Sequence, residues 1–297
     1  MRQTEETSDR YVELDTWDDE KILDALVDGQ ARAVESVRRA RAALAAAARA
    51  IAGRLSQGGR LVYAGAGSSI RIAAQDGSEL PATFGFAPER LVYLIAGGNE
   101  ALLEGRATAE DDEREARAAV AAHDLGARDV LIAVSASGST PYTLAAAKAA
   151  RGRGSMIVGI ANNRSAPLLE AADHPILLES GPEVIAGSTR LGAGTAQKSA
   201  LGLLSTLVNI RLGAVYDGMM VNLRADNVKL KARARAMVAR IAKVNERQAE
   251  QALAESHGEV APAALLCAGA AGLAEAQELL AQCRGNLRLA LARLAGS

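Results

Sequence analysis

The sequence has few aromatic residues, few cysteines and no long apolar run. Aromatic residues make up 3% of the 297 residues, which fits alanine-rich helices packed closely on a sheet better than a β-sandwich. Two cysteines, Cys267 and Cys283, are too few for a disulfide framework in a chain of this length. Because no window approaches about 18 uninterrupted apolar residues, we expect no membrane-spanning helix.

An excess of charge of one sign is also lacking, because 34 lysines and arginines nearly balance 35 aspartates and glutamates. A formal net charge of −1 gives no general attraction to nucleic acid or to an anionic membrane, so we expect neither as a partner. The histidines, His123, His174 and His257, lack the spacing of metal ligands, so we expect no metal site. The polar segment 1–10 does not have the pattern of a signal peptide, and we expect a cytoplasmic protein.

Short apolar runs alternate with helical patterns along the chain, which indicates an α/β fold with a parallel sheet and helices on both faces. The pair Leu80-Pro81 is expected to end the helix that precedes it. The predicted strands are 61–64, 91–95, 130–135, 156–161 and 175–178. The main predicted helices are about 17–29, 30–56, 68–79, 140–151 and 195–212, with further helices in 218–245 and in the tail.

A glycine turn, GAGSS at 65–69, follows the first predicted strand. Free N–H groups and the positive end of a helix dipole meet at such a turn, so an anion fits there, most often a phosphate. The alternative is a purely structural strand-to-helix turn made by Gly65 and Gly67, because a GxG pattern alone is a weak signal.

A second loop, SASGST at 135–140, follows the third predicted strand and leads into a helix. A helix cap needs one hydroxyl, so four hydroxyls indicate phosphate binding. Both loops lie at the carboxyl ends of parallel strands, where ligands bind in open α/β sheets. Neither loop has the lysine of a GxxxxGK[ST] nucleotide site, so a sugar phosphate fits better than a nucleotide.

The pattern S-x-S-G-x-T at 135–140 resembles the phosphate loop of sugar isomerase (SIS) domains. Three further motifs, DGSELPATF at 76–84, AEDD at 109–112 and GPEVIAGSTR at 181–190, occur in order with GAGSS. Together they resemble the N-acetylmuramic acid 6-phosphate etherases over nearly the whole chain. The broader family includes glucokinase regulatory proteins, which bind sugar phosphates without turning them over.

The resemblance implies an SIS-type parallel-sheet α-β-α sandwich with N-terminal helices and a small C-terminal helical module. We expect 1–56 to form a helical segment that packs on the core or on a partner, and 57–217 to form the SIS sugar-phosphate-binding domain. Residues 218–245 are expected to form a charged connecting helix, and 246–297 the small C-terminal module.

The resemblance also implies a reaction, cleavage of the D-lactyl ether of N-acetylmuramic acid 6-phosphate in cell-wall amino-sugar recycling. The family's two catalytic glutamates match Glu79 and Glu110. Our hypothesis is that Glu79 is the acid for lactate departure and Glu110 the base at C2, although the match identifies the pair and leaves the order of roles open. Two carboxyls in different protonation states suffice for this chemistry, without a metal or a cofactor. The family's phosphate contacts match Ser68, Ser69, Ser135, Ser137, Ser139 and Thr140.

From the residues alone, Glu79 reads as a solvated helix-end charge and Glu110 as a charge favoured by a helix dipole. The chain departs from the family pattern at Ile70, Gly192 and Gly202, where the family usually has glycine, lysine and asparagine. These changes leave both glutamates intact and bear on the breadth of substrates.

The segment 181–198 is polar and punctuated by glycine, and we expect it to shape the sugar pocket or to close it across a dimer interface. The alternative is a structural loop in which Arg190 pairs with an acid. The apolar faces of 30–56 and 195–212 exceed what one sheet needs, so we predict a homodimer whose partner helices line the site. The weaker candidates for sugar contacts are Glu183, Ser188, Thr189, Arg190 and Lys198.

Two other functions stay open at this point. An aldose–ketose isomerase of a sugar phosphate would use the same proton abstraction at C2 without cleaving an ether. A regulator that senses a sugar phosphate and binds a partner protein would need neither acid. The presence of both Glu79 and Glu110 favours the etherase.

Overall fold

The computed structural model describes residues 3–223 and 228–296. Its central feature is a five-stranded parallel sheet with the strand order β2-β1-β3-β4-β5. The α/β sandwich predicted from the sequence is confirmed, and the predicted strands agree with the observed ones to within one residue at either end. The strands are β1 Leu61–Gly65, β2 Leu91–Ile95, β3 Val130–Ser135, β4 Met156–Ala161 and β5 His174–Leu177.

Twelve helices and a small hairpin accompany this sheet in the described part of the chain. The helices are α1 Asp19–Arg39, α2 Arg41–Leu55, α3 Gly67–Phe84, α4 Glu113–Ala122, α5 Pro141–Gly152, α6 Pro167–Glu170, α7 Gly192–Arg211, α8 Val228–Ala242, α9 Glu246–Glu255, α10 Val260–Cys267, α11 Leu273–Gln282 and α12 Leu287–Ala295. The hairpin strands are β6 Val215–Tyr216 and β7 Met219–Met220. The short 3₁₀ helices include Gln3–Glu5 and Ala107–Asp111.

The chain divides into two compact units. The first comprises Met1–Gly77 and Glu89–Ser205 and contains the five-stranded sheet, and the second comprises Ser78–Pro88 and Thr206–Ser297. The finer division at residues 56, 217 and 245 stays a prediction.

The core of the first unit is built from short side chains on helices and branched side chains on strands. Residues of β1, β3 and β4 are buried along their whole lengths, as in a parallel sheet covered on both faces. Alanines of α5, among them Ala146 and Ala150 at 0% exposure, face this sheet and let the helix approach it closely.

The second unit has a core of its own, in which α8 to α12 pack together through Val238, Leu265 and Leu287. The hairpin in this unit lies where the sequence predicts the start of a charged helix over 218–245, so that start is wrong: Met219–Met220 is a strand, and the helix in this range is α8. The loop of the hairpin is the pair Asp217-Gly218, and both residues have positive φ values of 46° and 76°. An Asp-Gly pair with this backbone is a strong hairpin signal, so the sequence contained the information.

Two further helix boundaries predicted from the sequence are wrong. The N-terminal helices divide at Ala40 and not near residue 29, because Gly29 lies inside α1, where a Cβ would come 3.0 Å from Val184. Gly29 therefore serves a close helix–loop contact. Leu80-Pro81 does not end α3, which continues to Phe84. Pro81 removes one backbone donor from the helix, and its neighbour Leu80 is buried, at 3% exposure.

In the described residues, no helix is both long enough and apolar enough to cross a lipid bilayer.

Candidate active site

Two loops meet at the carboxyl edge of the sheet in the first unit. Strands β1 and β3 are neighbours in parallel register, with Gly65 opposite Val134, so the loops that follow them are adjacent. The strand order also changes side here, because β2 lies on one side of β1 and β3 lies on the other. Ligands of open α/β sheets bind at such a point.

In the first loop, 65–69, two glycines allow neighbouring residues to come closer to the backbone than a side chain would permit. A Cβ at Gly65 would come 2.9 Å from the carbonyl oxygen of Val134, so only glycine fits beside β3. Gly67 has a φ of 54°, and a Cβ there would come 2.8 Å from Oε1 of Glu110. Ser68 is half-buried and Ser69 is 8% exposed. The loop therefore presents two hydroxyls and leaves room for a carboxylate.

Glu110 occupies that room. It lies on the 3₁₀ helix Ala107–Asp111, and its carboxylate lies against Gly67 at the first turn of α3. Burial raises the pKa of Glu110 above its ordinary value, and the neighbouring charge of Asp111 raises it further. A carboxylate of raised pKa is a stronger base once ionised, which suits general acid–base chemistry.

The second loop, 135–140, is held by its own hydroxyls. Ser135 Oγ lies 2.9 Å from Thr140 Oγ1 and accepts a hydrogen bond from the Gly138 N–H at 3.0 Å. Ser137 Oγ accepts from both the N–H and the hydroxyl of Ser139, each at 3.2 Å. Thr140 is the N-cap residue of α5, but its side chain makes no capping hydrogen bond. Hydroxyls and helix N–H groups are thus gathered at one point, as an anion site requires.

The geometry also requires Gly138, which has a φ of 66°. A Cβ at this position would come 2.3 Å from Cβ of Ala166, just before α6. The loop therefore lies tightly on the segment that follows β4.

Glu79 belongs to the second unit. It is exposed on α3 and lies twelve residues after Gly67 in the chain. Glu110 belongs to the first unit, together with both loops.

In the segment 181–190, Glu183 is 3% exposed, and its carboxylate accepts hydrogen bonds from the N–H groups of Gly192 and Ala193, both at 2.8 Å. Burial raises the pKa of Glu183, while these two hydrogen bonds oppose the rise. The carboxylate therefore caps the first turn of α7. Arg190 and Lys198 are exposed, and Ser188 and Thr189 are half-buried.

Sequence reasoning passed over the polar pair that follows β4. The Asn162 N–H donates to the carbonyl oxygen of Ala136 at 3.0 Å, and the Asn163 side chain donates to the same oxygen at 2.9 Å. Both asparagines are buried, and Gln197 of α7 donates to Oδ1 of Asn162 at 3.0 Å. The available signal was their position directly after a buried parallel strand, at the edge where both other loops lie.

Comparison with known proteins defines the class first. The model of the SIS domain matches residues 112–207, and the model of the N-terminal SIS domain of glucokinase regulatory protein matches residues 43–151. Together these matches cover the sheet and both loops, so the class of this part of the chain is the SIS domain.

Curated relatives define the family. A protein of Deinococcus radiodurans named N-acetylmuramic acid 6-phosphate etherase is 46% identical over 98% of this chain and 95% of its own length. A protein of the same name from Rubrobacter xylanophilus is 40% identical over 97% of this chain and 95% of its own length. Another of the same name, from Streptomyces avermitilis, is 46% identical over 84% of this chain and 80% of its own length. The chain therefore belongs to the N-acetylmuramic acid 6-phosphate etherase family.

Proposed function

We propose that this protein cleaves the D-lactyl ether of N-acetylmuramic acid 6-phosphate, giving N-acetylglucosamine 6-phosphate and D-lactate. The observation that carries the proposal is the Glu110 carboxylate of raised pKa, lying against Gly67 where two hydroxyl-lined loops meet. Membership in the etherase family supports the assignment. An anchored phosphate and a nearby base are two of the features that the reaction requires.

The chemistry begins with opening of the sugar ring, which makes the C2 proton acidic because C2 then adjoins an aldehyde. Glu110 removes this proton, a double bond forms between C2 and C3, and the C3–O bond breaks. The departing lactate oxygen takes a proton from Glu79. Water then adds its oxygen to C3 and a proton returns to C2, so the net change is hydrolysis of the ether. Each proton transfer by a positioned side chain contributes about 10²–10⁴ in rate.

Phosphate anchoring is assigned to Ser68 and Ser69 in the first loop and to Ser135, Ser137, Ser139 and Thr140 in the second. The segment 181–190 and Lys198 are assigned to the sugar side of the pocket. Within it, Glu183 acts by holding the start of α7, because both of its oxygens are engaged by backbone N–H groups. Ser188, Thr189 and Arg190 are the members with side chains available to a sugar.

We further propose a homodimer in which Glu79 of the partner subunit completes the site. Glu79 is exposed on α3, as a residue that reaches a neighbouring subunit must be. Large apolar side chains are exposed on two helices, which supports a partner surface. They are Leu23 at 59%, Val27 at 63% and Val34 at 48% on α1, and Leu203 at 56% and Ile210 at 46% on α7.

The cytoplasm is the proposed location, and the recycling of cell-wall amino sugars the proposed context. Both cysteines are free, as in a reducing compartment.

The test of the reaction is release of D-lactate from N-acetylmuramic acid 6-phosphate, followed with D-lactate dehydrogenase. The proposal predicts lactate and N-acetylglucosamine 6-phosphate in equal amounts, with oxygen from labelled water at C3. An isomerase would rearrange a sugar phosphate without lactate. A sensor would be thermally stabilised by the ligand without turnover. Either result would overturn the proposal.

The shared site is tested by co-expressing Glu79→Gln and Glu110→Gln subunits with different tags and purifying the mixed dimer. If each site takes one glutamate from each subunit, the mixed dimer has one intact site and about half of the wild-type rate, while each pure variant is inactive. If both glutamates come from one chain, the mixed dimer is inactive too, and the proposed sharing is wrong.

A further inference from the structure

Thr4 is a polar residue near the start of the chain with 0% exposure. It lies in the 3₁₀ helix Gln3–Glu5, in the first unit. Buried hydroxyls are found with hydrogen-bond partners, because an unpartnered one carries a desolvation cost. The partners of Thr4 therefore indicate what holds this segment in place.

The partner of the Thr4 side chain is Asn163, directly after β4. Asn163 Nδ2 donates to Thr4 Oγ1 at 3.2 Å, and the Thr4 N–H donates to Asn163 Oδ1 at 3.4 Å. The same Nδ2 donates to the carbonyl oxygen of Ala136 at 2.9 Å. Because Ala136 lies between Ser135 and Ser137, the amide of Asn163 connects Thr4 to the back of the second loop.

Thr4 also contacts the segment 181–190. Its carbonyl oxygen accepts a hydrogen bond from the Gly187 N–H at 3.0 Å. Gly187 has a φ of 75°, so the backbone turns sharply where this bond forms. One residue thus joins two segments of the candidate site that are about 50 residues apart in the sequence.

We propose that Thr4 is a positioning residue, which acts through Asn163 to fix the second loop and thereby sets the affinity of the site for phosphate. We call the set Thr4, Asn163, Ala136 and Gly187 the Thr4–Asn163 brace. The proposal rests on the function proposed above, since it takes the second loop as the phosphate anchor. Thr4 itself touches neither the phosphate nor the reacting atoms.

The brace predicts a moderate effect on binding. The carbonyl of Ala136 keeps its backbone hydrogen bond from the Asn162 N–H at 3.0 Å when Thr4 is changed, so the loop stays folded. Loss of the Thr4 hydroxyl leaves the Asn163 amide with one acceptor fewer and a wider range of positions. One hydrogen bond between neutral groups corresponds to about a 2- to 10-fold change in an equilibrium constant.

The experiment compares Thr4→Val, which replaces the hydroxyl by a methyl group, with Thr4→Ser, which keeps the hydroxyl. Thr7→Val is the matched control, because Thr7 is exposed in the same segment. We expect Thr4→Val to raise KM for N-acetylmuramic acid 6-phosphate about fivefold, with kcat changed less than about twofold. Thr4→Ser and Thr7→Val should keep the wild-type KM. An unchanged KM in Thr4→Val, or an equal rise in Thr4→Ser, overturns the proposal.

A double-mutant cycle separates the brace from a general loss of stability. Because Thr4 acts through Asn163, Thr4→Val should cause no further rise in KM in an Asn163→Ala background. A further fivefold rise there would show that Thr4 acts by another route and would overturn the brace. The melting temperatures of all variants are measured alongside, so that an unfolded variant is recognised.

Calorimetry with inorganic phosphate and with N-acetylglucosamine 6-phosphate distinguishes failure of the brace from failure of the proposed reaction. Weaker binding of both probes by Thr4→Val, with normal binding by Thr4→Ser, supports the brace even if the wild-type protein releases no lactate. Equal affinities in wild type and Thr4→Val overturn the brace even if lactate is released.

Discussion

The two loops at the edge of the sheet are built in opposite ways. The second loop is shaped by bonds among its own hydroxyls, such as Ser135 to Thr140 at 2.9 Å. The first loop is shaped by missing side chains, since Gly67 leaves the space that the Glu110 carboxylate occupies. The comparison indicates a division of labour, in which the second loop serves only to anchor the phosphate, while the first adds two serine hydroxyls to the anchor and leaves room for the base, Glu110.

The largest expected effect comes from the base. Glu110→Gln keeps the shape of the side chain and removes its basicity, so kcat for lactate release should fall about 10²–10⁴-fold. Binding of inorganic phosphate, measured by calorimetry, should stay within about twofold. Glu113→Gln, an exposed glutamate at the start of α4, is the control and should retain full activity. Full activity in Glu110→Gln would remove this residue from the mechanism.

The next prediction concerns the space at Gly67. In Gly67→Ala the new methyl group would displace the carboxylate of Glu110, the end of a flexible side chain, so the fold should persist while the base moves. A displacement of about 1 Å can reduce the rate about 10²-fold, and we expect a fall in kcat of that order.

Gly58→Ala is the control for the backbone cost. Gly58 also has a positive φ, 83°, and nothing lies within 4 Å of a Cβ there. We expect the two variants to lose similar stability in urea unfolding, while only Gly67→Ala loses activity. Equal rates for the two variants would contradict the role given to Gly67.

A third prediction concerns the second loop. Ser135→Ala removes a buried hydroxyl, at 3% exposure for the residue, that holds Gly138 and Thr140. Because hydrogen bonds to charged groups contribute about 1.5–3 kcal/mol, KM should rise about 10- to 100-fold, with little change in kcat. Ser165→Ala, an exposed serine after β4, should behave as wild type in the same steady-state assay. A fall in kcat at unchanged KM would contradict this prediction, because it would mean that the second loop acts in the chemical step and not in binding.

The smallest expected effect is on pH dependence. Burial and the charge of Asp111 both raise the pKa of Glu110, so activity that needs ionised Glu110 falls as pH decreases through this raised pKa. Asp111→Asn removes one of the two causes, which lowers the pKa of Glu110 and moves the acid limb of kcat/KM to lower pH. The profile is measured by lactate release. A shift of the acid limb to higher pH would contradict the assignment.

Local patterns predicted the frame of this site well. The five strands were found because buried apolar runs bounded by glycine and polar residues are local signals, and the two loops follow directly from where β1 and β3 end. The Asp-Gly hairpin at 217–218 was equally local and was overlooked.

The errors came from distant contacts. The continuity of α1 through Gly29 goes with a close approach to Val184, a residue that no local window of sequence contains. The burial of Thr4 depends on a residue 159 positions away, and the position of Glu110 depends on the absence of a side chain at Gly67. The roles of the site residues, Glu79 above all, stay predictions.

The division of labour between the loops is tested most directly by proton exchange at C2 of N-acetylglucosamine 6-phosphate in D₂O, followed by NMR at saturating ligand. The wild-type protein should exchange this proton, Ser135→Ala should exchange it at nearly the same saturated rate, and Glu110→Gln should bind the sugar without exchange. Exchange by Glu110→Gln at the wild-type rate would contradict the account.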